Sequence, residues 1–124
     1  HLPPTKTPGA APPVNVNPQA AGAGALALIT RHDISQLPVF DGDRPVGQVS
    51  EGGLSARVLA DPRVLDDAVA DHLEPPPPVI EPGTPFGALA QLLAQGHAAV
   101  LVRDDGRWGI LTRFDLLQVV ASGA

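Results

Sequence analysis

The sequence contains no cysteine, methionine or tyrosine, and its aromatic residues are three phenylalanines and one tryptophan among 124 residues. Without cysteine the chain forms no disulfide and offers no thiolate for catalysis or for zinc binding. Because aromatic side chains are so few, we predict a core made of Val, Leu, Ile and Ala. Nothing in the composition requires an oxidising compartment, so the expected localisation is cytoplasmic.

Basic residues are also few, since eight Lys and Arg stand against 13 Asp and Glu, for a net charge of −5. Nucleic-acid binding relies on clustered basic side chains, so this balance argues against nucleic acid as a partner. No apolar run approaches the roughly 20 residues that cross a bilayer, and Ala20–Ile29 is too short and lacks the basic flank of a signal peptide. We therefore expect neither nucleic acid nor a membrane as a partner.

The sequence does contain enough apolar material for a folded domain, with 44% hydrophobic and 17% charged residues. Many of its 15 prolines lie in the first eighteen residues and in the run Pro75–Pro78. Residues 1–11 are polar and proline-rich without periodicity, which is typical of a linker. Since the chain begins in this linker without an initiator methionine, we expect it to be a fragment or a processed product.

An internal repeat organises the rest of the chain. Gly47 aligns with Gly109, 62 positions further on, and the same offset aligns Leu37–Phe40 with Ala99–Val102. A repeat of this length indicates two copies of one supersecondary unit, each too small to bury its own apolar face.

Each copy has the order helix–strand–strand–helix, which predicts an α+β fold. The predicted first helices, each beginning with a capping residue followed by proline, are Pro18–Arg31 and Pro85–Gln95. The predicted strand pairs, joined by tight polar turns, are Leu37–Phe40 with Val46–Val49 and Ala98–Val102 with Trp108–Leu111. The predicted last helices are Leu54–Leu59 and Phe114–Ala121, with a connecting helix at Pro62–Leu73. The predicted boundaries are 1–11 for the linker, 12–60 for the first domain, 61–74 for the connecting helix and 75–121 for the second domain.

Two strings carry a family pattern: GILTRFDLL at Gly109–Leu117 and Leu-Pro-Val at Leu37–Val39. With the repeat, they show that the chain resembles a pair of CBS domains, a Bateman module, over about Val14 to Ala121. The resemblance implies two repeats related by pseudo-twofold symmetry. It also implies association as a homodimer.

Three further strings are HDISQLPV at His32–Val39, GQVSE at Gly47–Glu51 and HAAVLV at His97–Val102. They are similar to the C-terminal regulatory region of bacterial cystathionine β-synthase-like enzymes. Such enzymes carry a pyridoxal-phosphate catalytic domain upstream, so the resemblance implies an attached or partner catalytic domain. The chain shows no nucleophile–base or paired-carboxylate arrangement, and we expect that it is not itself an enzyme.

The segment Thr112-Arg113-Phe114-Asp115 lies where the second strand of the second copy turns into its last helix. The backbone amides of a first helical turn can bind an anion, and the Thr112 hydroxyl can add a hydrogen bond to phosphate. Asp115, one turn on, can accept hydrogen bonds from ribose hydroxyls. The same spacing is also an ordinary capping arrangement, in which both side chains serve their own helix.

The resemblance implies an adenosine-type ligand (AMP, ATP or S-adenosylmethionine) and no cofactor in this chain. The residues it assigns to binding are Thr112, Phe114 and Asp115 from the second copy, and Pro13, Val14, Ile34, Ser35 and Gln36 from the first. For Val14 and Ile34, plain core packing is the alternative interpretation. Related sites that hold S-adenosylmethionine can carry an acidic residue near Ser35, which is neutral here.

The first copy departs from the pattern, because Gly53 stands where the second copy has Asp115. The first copy therefore lacks the ribose acceptor, and Glu51 would repel phosphate, so we expect one competent site. The four histidines have no short spacing on a shared helix, which argues against a metal site.

The leading hypothesis is a regulatory module that binds an adenosine-type ligand between the two copies and modulates an enzyme. The alternative is a structural dimerisation module with a vestigial nucleotide site.

Overall fold

The computed structural model describes residues 12–122. It divides the chain into two compact units, which we call the N-terminal unit, Val14–Pro76, and the C-terminal unit, from Pro77 onward. Pro13 is grouped with the C-terminal unit. The predicted linker, residues 1–11, lies outside the described residues.

The N-terminal unit is a two-stranded hairpin with a helix before it and a helix after it. Its elements are α1 (Gly22–His32), β1 (Gln36–Asp41), β2 (Arg44–Ser50) and α2 (Glu51–Ala60). The strands β1 and β2 pair antiparallel. The predicted order helix–strand–strand–helix is confirmed in this unit.

The C-terminal unit repeats this order, with one additional short strand. Its elements are β3 (Val79–Ile80), α3 (Phe86–Ala94), β4 (Ala99–Asp104), β5 (Arg107–Thr112) and α4 (Arg113–Ser122). The strand β3 pairs parallel to β4, and β4 pairs antiparallel to β5. In the N-terminal unit a parallel bridge from Val16 to Val39 is the counterpart of β3. The sequence pattern did not predict β3, because two residues are too few to show alternation of apolar and polar side chains.

Both hairpins close through two-residue turns, but the turns differ in geometry. In the C-terminal unit, Asp105 and Gly106 both have positive φ, 52° and 80°, as a type I′ turn requires. In the N-terminal unit Gly42 has a φ of 63°. The C-terminal turn is Asp105-Gly106 and the N-terminal turn is Gly42-Asp43. In both turns glycine occupies a position with positive φ, which it adopts without strain.

The helix α1 begins at Gly22, whereas the sequence predicted a start at Pro18. The Asn17 side chain caps a turn only, with its Oδ1 accepting a hydrogen bond from the amide two residues on at 2.8 Å. The chain is then extended, since the Ala20 carbonyl accepts a hydrogen bond from the Val69 amide at 2.8 Å. Pairing with a distant segment therefore overrides the local start signal.

The predicted connecting helix is wrong as a continuous element. The structure has two short 3-10 helices instead, Pro62–Asp66 and Val69–His72. Between them the backbone is extended, and the Asp67 carbonyl accepts a hydrogen bond from the Gly22 amide at 2.9 Å. These residues pair with the chain in front of α1, and this pairing interrupts the helix.

Smaller differences occur at two other helix starts. Pro85, not Thr84, is the N-cap of α3, and the Thr84 hydroxyl instead donates a hydrogen bond to the Glu81 carbonyl at 2.6 Å. The helix α2 begins at Glu51, earlier than the predicted Leu54. Its first turn contains two glycines, which gave no helical signal in the sequence.

Each unit has its own aliphatic core, as the shortage of aromatic residues predicted. The buried cluster of the N-terminal unit consists of Ala25, Ile29, Leu37, Val39, Val49, Leu54, Val64 and Val69. The buried cluster of the C-terminal unit consists of Ile80, Leu89, Leu93, Val100, Val102, Leu111 and Leu116. Within residues 12–122, the helices are all too short or too polar to cross a membrane.

Candidate functional site

Thr112 and Asp115 are in contact at the N-terminus of α4. The Thr112 amide and hydroxyl both donate hydrogen bonds to Asp115 Oδ2, at 2.9 and 3.0 Å. The Asp115 amide approaches Thr112 Oγ1 at 3.3 Å. This reciprocal pattern is a capping box, so the structure contains the capping arrangement that the sequence left open as the alternative. Within the described residues Asp115 Oδ1 accepts no hydrogen bond, and this oxygen is available to a ligand.

The first turn of α4 offers fewer free amides than the sequence suggested. The Arg113 amide donates to the Ala98 carbonyl at 2.8 Å, and the Asp115 amide is directed at the Thr112 hydroxyl. Among residues 12–122, no acceptor is present for the Phe114 amide. Two amides of this turn are therefore already occupied, one by the loop before β4 and one by the cap.

Arg113 and Phe114, which lie between Thr112 and Asp115, differ in their hydrogen bonding and exposure. The Arg113 guanidinium donates from Nη1 to the Leu93 carbonyl at 3.0 Å, which ties it to the end of α3. The Phe114 side chain is 66% exposed. A ligand at the N-terminus of α4 would thus meet the exposed Phe114 ring and the Phe114 amide. The Arg113 guanidinium is already hydrogen-bonded to the end of α3.

Of the residues assigned to the base, Val14 and Ile34 are half-buried and pack against the core of the N-terminal unit. This packing is the alternative interpretation that the sequence left open for them. Pro13 is half-buried as well, and it is grouped with the C-terminal unit.

Ser35 and Gln36 lie at the start of β1. Ser35 is exposed, and its carbonyl accepts a hydrogen bond from the Glu51 amide at 2.9 Å. Gln36 is half-buried and pairs with Ser50 across the hairpin. An open cleft of about 480 Å³ contains Ser35 in its wall, and its lining is Ile29, Thr30, Asp33, Ile34, Ser35 and Glu51. Within the N-terminal unit the structure therefore brings Ile34 and Ser35 to one surface, and within the C-terminal unit it brings Thr112 and Asp115 into contact.

The N-terminus of α2 has the same hydrogen-bond pattern as that of α4, but its carboxylate comes from a different part of the chain. The Ser50 amide and hydroxyl both donate to Glu74 Oε2, at 3.0 and 2.7 Å. The Gly53 amide donates to Ser50 Oγ at 3.0 Å. In α4 the carboxylate of the cap comes from Asp115, a residue of the helix itself. In α2 it comes from Glu74, which lies 21 positions beyond Gly53 in the sequence.

Glu74 was missed by the sequence analysis, because motif reasoning compared only the aligned positions of the two copies. The glycine at position 53 was the one weak indication in the sequence that another residue lies close to this helix terminus. A Cβ atom there would lie 2.8 Å from Glu74 Oε2 and 2.8 Å from Ser50 Oγ. A glycine at an aspartate position can therefore indicate that another group fills the space.

The histidines gather no metal-binding cluster, since residues 12–122 contain no group of three or more His, Cys, Asp or Glu that could hold an ion. His72 instead pairs through Nε2 with Asp67 Oδ2 at 2.9 Å, with 14% of its side chain exposed. Both residues belong to the segment that follows α2. This pair serves the fold of the N-terminal unit.

Comparison with known proteins places these features in a family. The family model described as "CBS domain" matches residues 10–59 and again residues 69–122.

Several solved structures are similar over nearly the whole chain. CBSX2 in complex with AMP is 28% identical, with a TM-score of 0.74 over 94% of this chain and 96% of that chain. The CBS-pair protein CBSX2 from Arabidopsis thaliana is 25% identical, with a TM-score of 0.74 over 94% of each chain. The CBS domain of a bacterial CNNM/CorC family Mg2+ transporter in complex with ATP is 22% identical, with a TM-score of 0.70 over 88% of this chain and 79% of that chain.

The two matches of the family model agree with the two helix–strand–strand–helix units, with their equivalent hairpins and with their similarly capped last helices. The chain therefore belongs to the CBS domain family and carries two CBS domains in tandem.

Proposed function

We propose that this CBS pair is a regulatory module that binds an adenosine-containing ligand of the AMP, ATP or S-adenosylmethionine type. Its ligand would modulate an attached or partner enzyme, for which a pyridoxal-phosphate cystathionine β-synthase-like protein is the candidate that the sequence favours. CBSX2, whose structure was solved in complex with AMP, is 28% identical to this chain. This similarity supports an adenosine-containing ligand.

The observation that carries the proposal is the pair of unused groups at the N-terminus of α4. Asp115 Oδ1 is an acceptor for a ribose hydroxyl, while the Phe114 amide is a donor for a phosphate oxygen. These two groups match the donor and acceptor requirements of a nucleoside monophosphate. The macrodipole of α4 also favours an anion at this terminus.

Ligand binding would involve an exchange of hydrogen bonds at Thr112. Its hydroxyl has one proton, which it donates to Asp115 Oδ2. To donate to a phosphate, the hydroxyl must leave this carboxylate, so the net gain from Thr112 is smaller than a new hydrogen bond alone. A ribose hydroxyl at Oδ1 requires no such exchange, and we expect Asp115 to contribute more affinity than Thr112.

The remaining assigned residues belong to the same proposal. Val14 and Ile34 would offer apolar surface to adenine, together with Pro13, which is next to Val14 in sequence, and Ser35 and Gln36 would offer polar contacts. Asp33 and Glu51 line the same cleft as Ser35. Their carboxylates would disfavour a phosphate in that cleft and favour a cationic group such as the one S-adenosylmethionine carries.

Regulation would follow from a difference in affinity. A ligand that binds one arrangement of the module more tightly than another shifts the population between them, and an attached enzyme responds to that shift. We also propose that the chain forms a homodimer. Exposed apolar side chains, among them Leu59 at 85%, Phe114 at 66% and Leu117 at 48%, support an association surface.

One observation favours the alternative function, a structural module with a vestigial site: Thr112 and Asp115 hydrogen-bond to each other as an ordinary helix cap. Thermal denaturation with AMP, ATP, adenosine and S-adenosylmethionine distinguishes the two functions. At a ligand concentration of 100 times Kd, stabilisation is about 2.7 kcal/mol, which is several degrees for a protein of this size.

The matched variants for this experiment are Asp115→Ala and Ser50→Ala. Both alter a helix cap, but only Asp115 belongs to the proposed site. We expect the ligand-induced shift to be retained in Ser50→Ala and to fall by about half or more in Asp115→Ala, since tenfold weaker binding leaves about 1.4 kcal/mol of stabilisation. If none of the four ligands raises the Tm of the unmodified chain, the regulatory proposal fails and the structural module is favoured.

A further inference from the structure

Glu74 holds the segment after α2 through its carboxylate and its backbone together. Its side chain accepts two hydrogen bonds from Ser50, at 3.0 and 2.7 Å. Its amide donates to the Gln48 carbonyl at 2.8 Å, and its carbonyl accepts from the Gln48 amide at 3.1 Å. The Gln48 side chain also donates from Nε2 to the Pro75 carbonyl at 2.9 Å. One residue thus joins the free edge of β2 to the N-terminus of α2.

Two glycines make room for this arrangement. A Cβ at Gly53 would lie 2.8 Å from Glu74 Oε2, and a Cβ at Gly47 would lie 2.9 Å from the Glu74 carbonyl oxygen. Neither glycine has positive φ, so backbone conformation does not require glycine at either position. The space that Glu74 occupies is therefore the reason for a glycine at both.

Glu74 lies close to the end of the N-terminal unit. It immediately precedes Pro75–Pro78, through which the chain passes from the N-terminal unit to the C-terminal unit. Proline cannot donate a backbone hydrogen bond, so the run itself adds no amide contacts that would fix its start. Glu74 is the last residue before the run whose amide can do so.

We propose that Glu74 is a latch that fixes the start of the proline run to the N-terminus of α2, and that loss of its single charge releases this segment. The inference does not depend on nucleotide binding, because every contact in it lies within the N-terminal unit. Ser50 and α2 are thereby coupled to the segment that leads into the C-terminal unit. Any group that competes with Glu74 for Ser50 would loosen that segment.

Amide hydrogen exchange on the Glu74→Gln variant tests the latch, with Glu81→Gln as the matched control. Glu81 is an exposed glutamate of the C-terminal unit. We expect the Ser50 and Glu74 amides to exchange about tenfold faster or more in Glu74→Gln, since tenfold corresponds to about 1.4 kcal/mol. Glu81→Gln should leave both amides at their wild-type rates. Unchanged exchange of both amides in Glu74→Gln would overturn the proposal.

A second experiment separates the latch from ordinary helix capping. Gly53→Asp alone should unfold at lower temperature, because its side chain meets the Glu74 carboxylate. Gly53→Asp combined with Glu74→Ala recreates the arrangement of Thr112 and Asp115 within α2. We expect this double variant to restore protection of the Ser50 amide while the amide of residue 74 still exchanges fast. Restored protection at both amides would show that packing holds the segment, and the latch would be wrong.

Discussion

The two units build the same helix terminus from different parts of the chain. In each unit a hydroxyl residue ends the second strand, and its amide and hydroxyl both donate to one carboxylate oxygen. In each unit the first amide of the following helix donates to a carbonyl just before the hairpin, at 2.8 Å for Arg113 and 2.9 Å for Glu51. The C-terminal unit uses Asp115 of the helix itself, whereas the N-terminal unit uses Glu74. A change at one motif position can therefore be compensated from a distant segment.

The N-terminal unit has a further feature in the segment that follows its last helix, α2. In the N-terminal unit this segment contributes Val64 and Val69 to the buried core. The Gly22 amide also donates to the Asp67 carbonyl at 2.9 Å. The N-terminal unit is therefore completed by residues outside the repeated helix–strand–strand–helix order. Within residues 12–122, the buried cluster of the C-terminal unit comes from β3, α3, β4, β5 and α4, so the two repeats share a topology but differ in which segments contribute to their cores.

The largest expected effects test whether the two cores are equivalent. Leu54 and Leu116 occupy aligned positions and are 2% and 0% exposed. Each change to alanine should cost about 2–5 kcal/mol of unfolding free energy, from lost burial and the cavity left behind. Urea denaturation followed by circular dichroism measures it, and Gln118→Ala, at an exposed position of α4, is the control with little effect. If only one of the two core changes destabilises the chain, the equivalence is wrong.

A smaller effect tests the close packing of α1 on the segment after α2. A Cβ at Gly22 would approach the Val64 carbonyl oxygen, whereas a Cβ at Gly24 would meet no atom within 4 Å. Gly22→Ala should cost about 1–3 kcal/mol, because the segment must move. Gly24→Ala should stabilise the protein by up to about 1 kcal/mol, since alanine favours the helix. Equal unfolding free energies for the two variants would contradict the packing described for this unit.

The smallest expected effect concerns the ion pair of Asp61 and Arg63, which are also in the segment after α2. Arg63 donates to the Asp61 carboxylate at 3.1 and 3.0 Å, and this side-chain bond lowers the pKa of Asp61. Because the folded pKa is lowered, the contribution is present above the unfolded value of about 3.9 and is lost as pH falls through the folded one.

Both groups are at the surface, where such pairs contribute little. We expect Arg63→Ala to lower the Tm at pH 7 by no more than about a degree. As the pH falls through the folded pKa of Asp61, the difference in Tm between the variant and the wild type should shrink, because Asp61 becomes protonated in both states. A difference in Tm that grows as the pH is lowered would contradict the assigned sign.

The sequence predicted the features that depend on local pattern. The 62-residue repeat indicated two units of one topology, and the Asp105-Gly106 turn signal located a hairpin. It failed where distant segments pair, as in the late start of α1 at Gly22 and the interrupted helix after Pro62. It also could not reveal Glu74, because no motif joins that residue to Ser50. The Thr112 and Asp115 contact followed from their spacing, whereas the occupation of the Arg113 amide depended on the Ala98 carbonyl, which is distant in sequence.

The most direct test of the central claim is calorimetric titration of AMP into the wild type, Thr112→Val, Asp115→Ala and Ser50→Ala chains. The account predicts one AMP per chain in the wild type and an unchanged Kd in Ser50→Ala. It predicts at least about tenfold weaker binding in Asp115→Ala, since one charge-assisted hydrogen bond contributes roughly 1.5–3 kcal/mol. Thr112→Val should weaken AMP binding less than Asp115→Ala does. Two equal sites per chain, or an unchanged Kd in Asp115→Ala, would contradict the account and leave Thr112 and Asp115 as a helix cap alone.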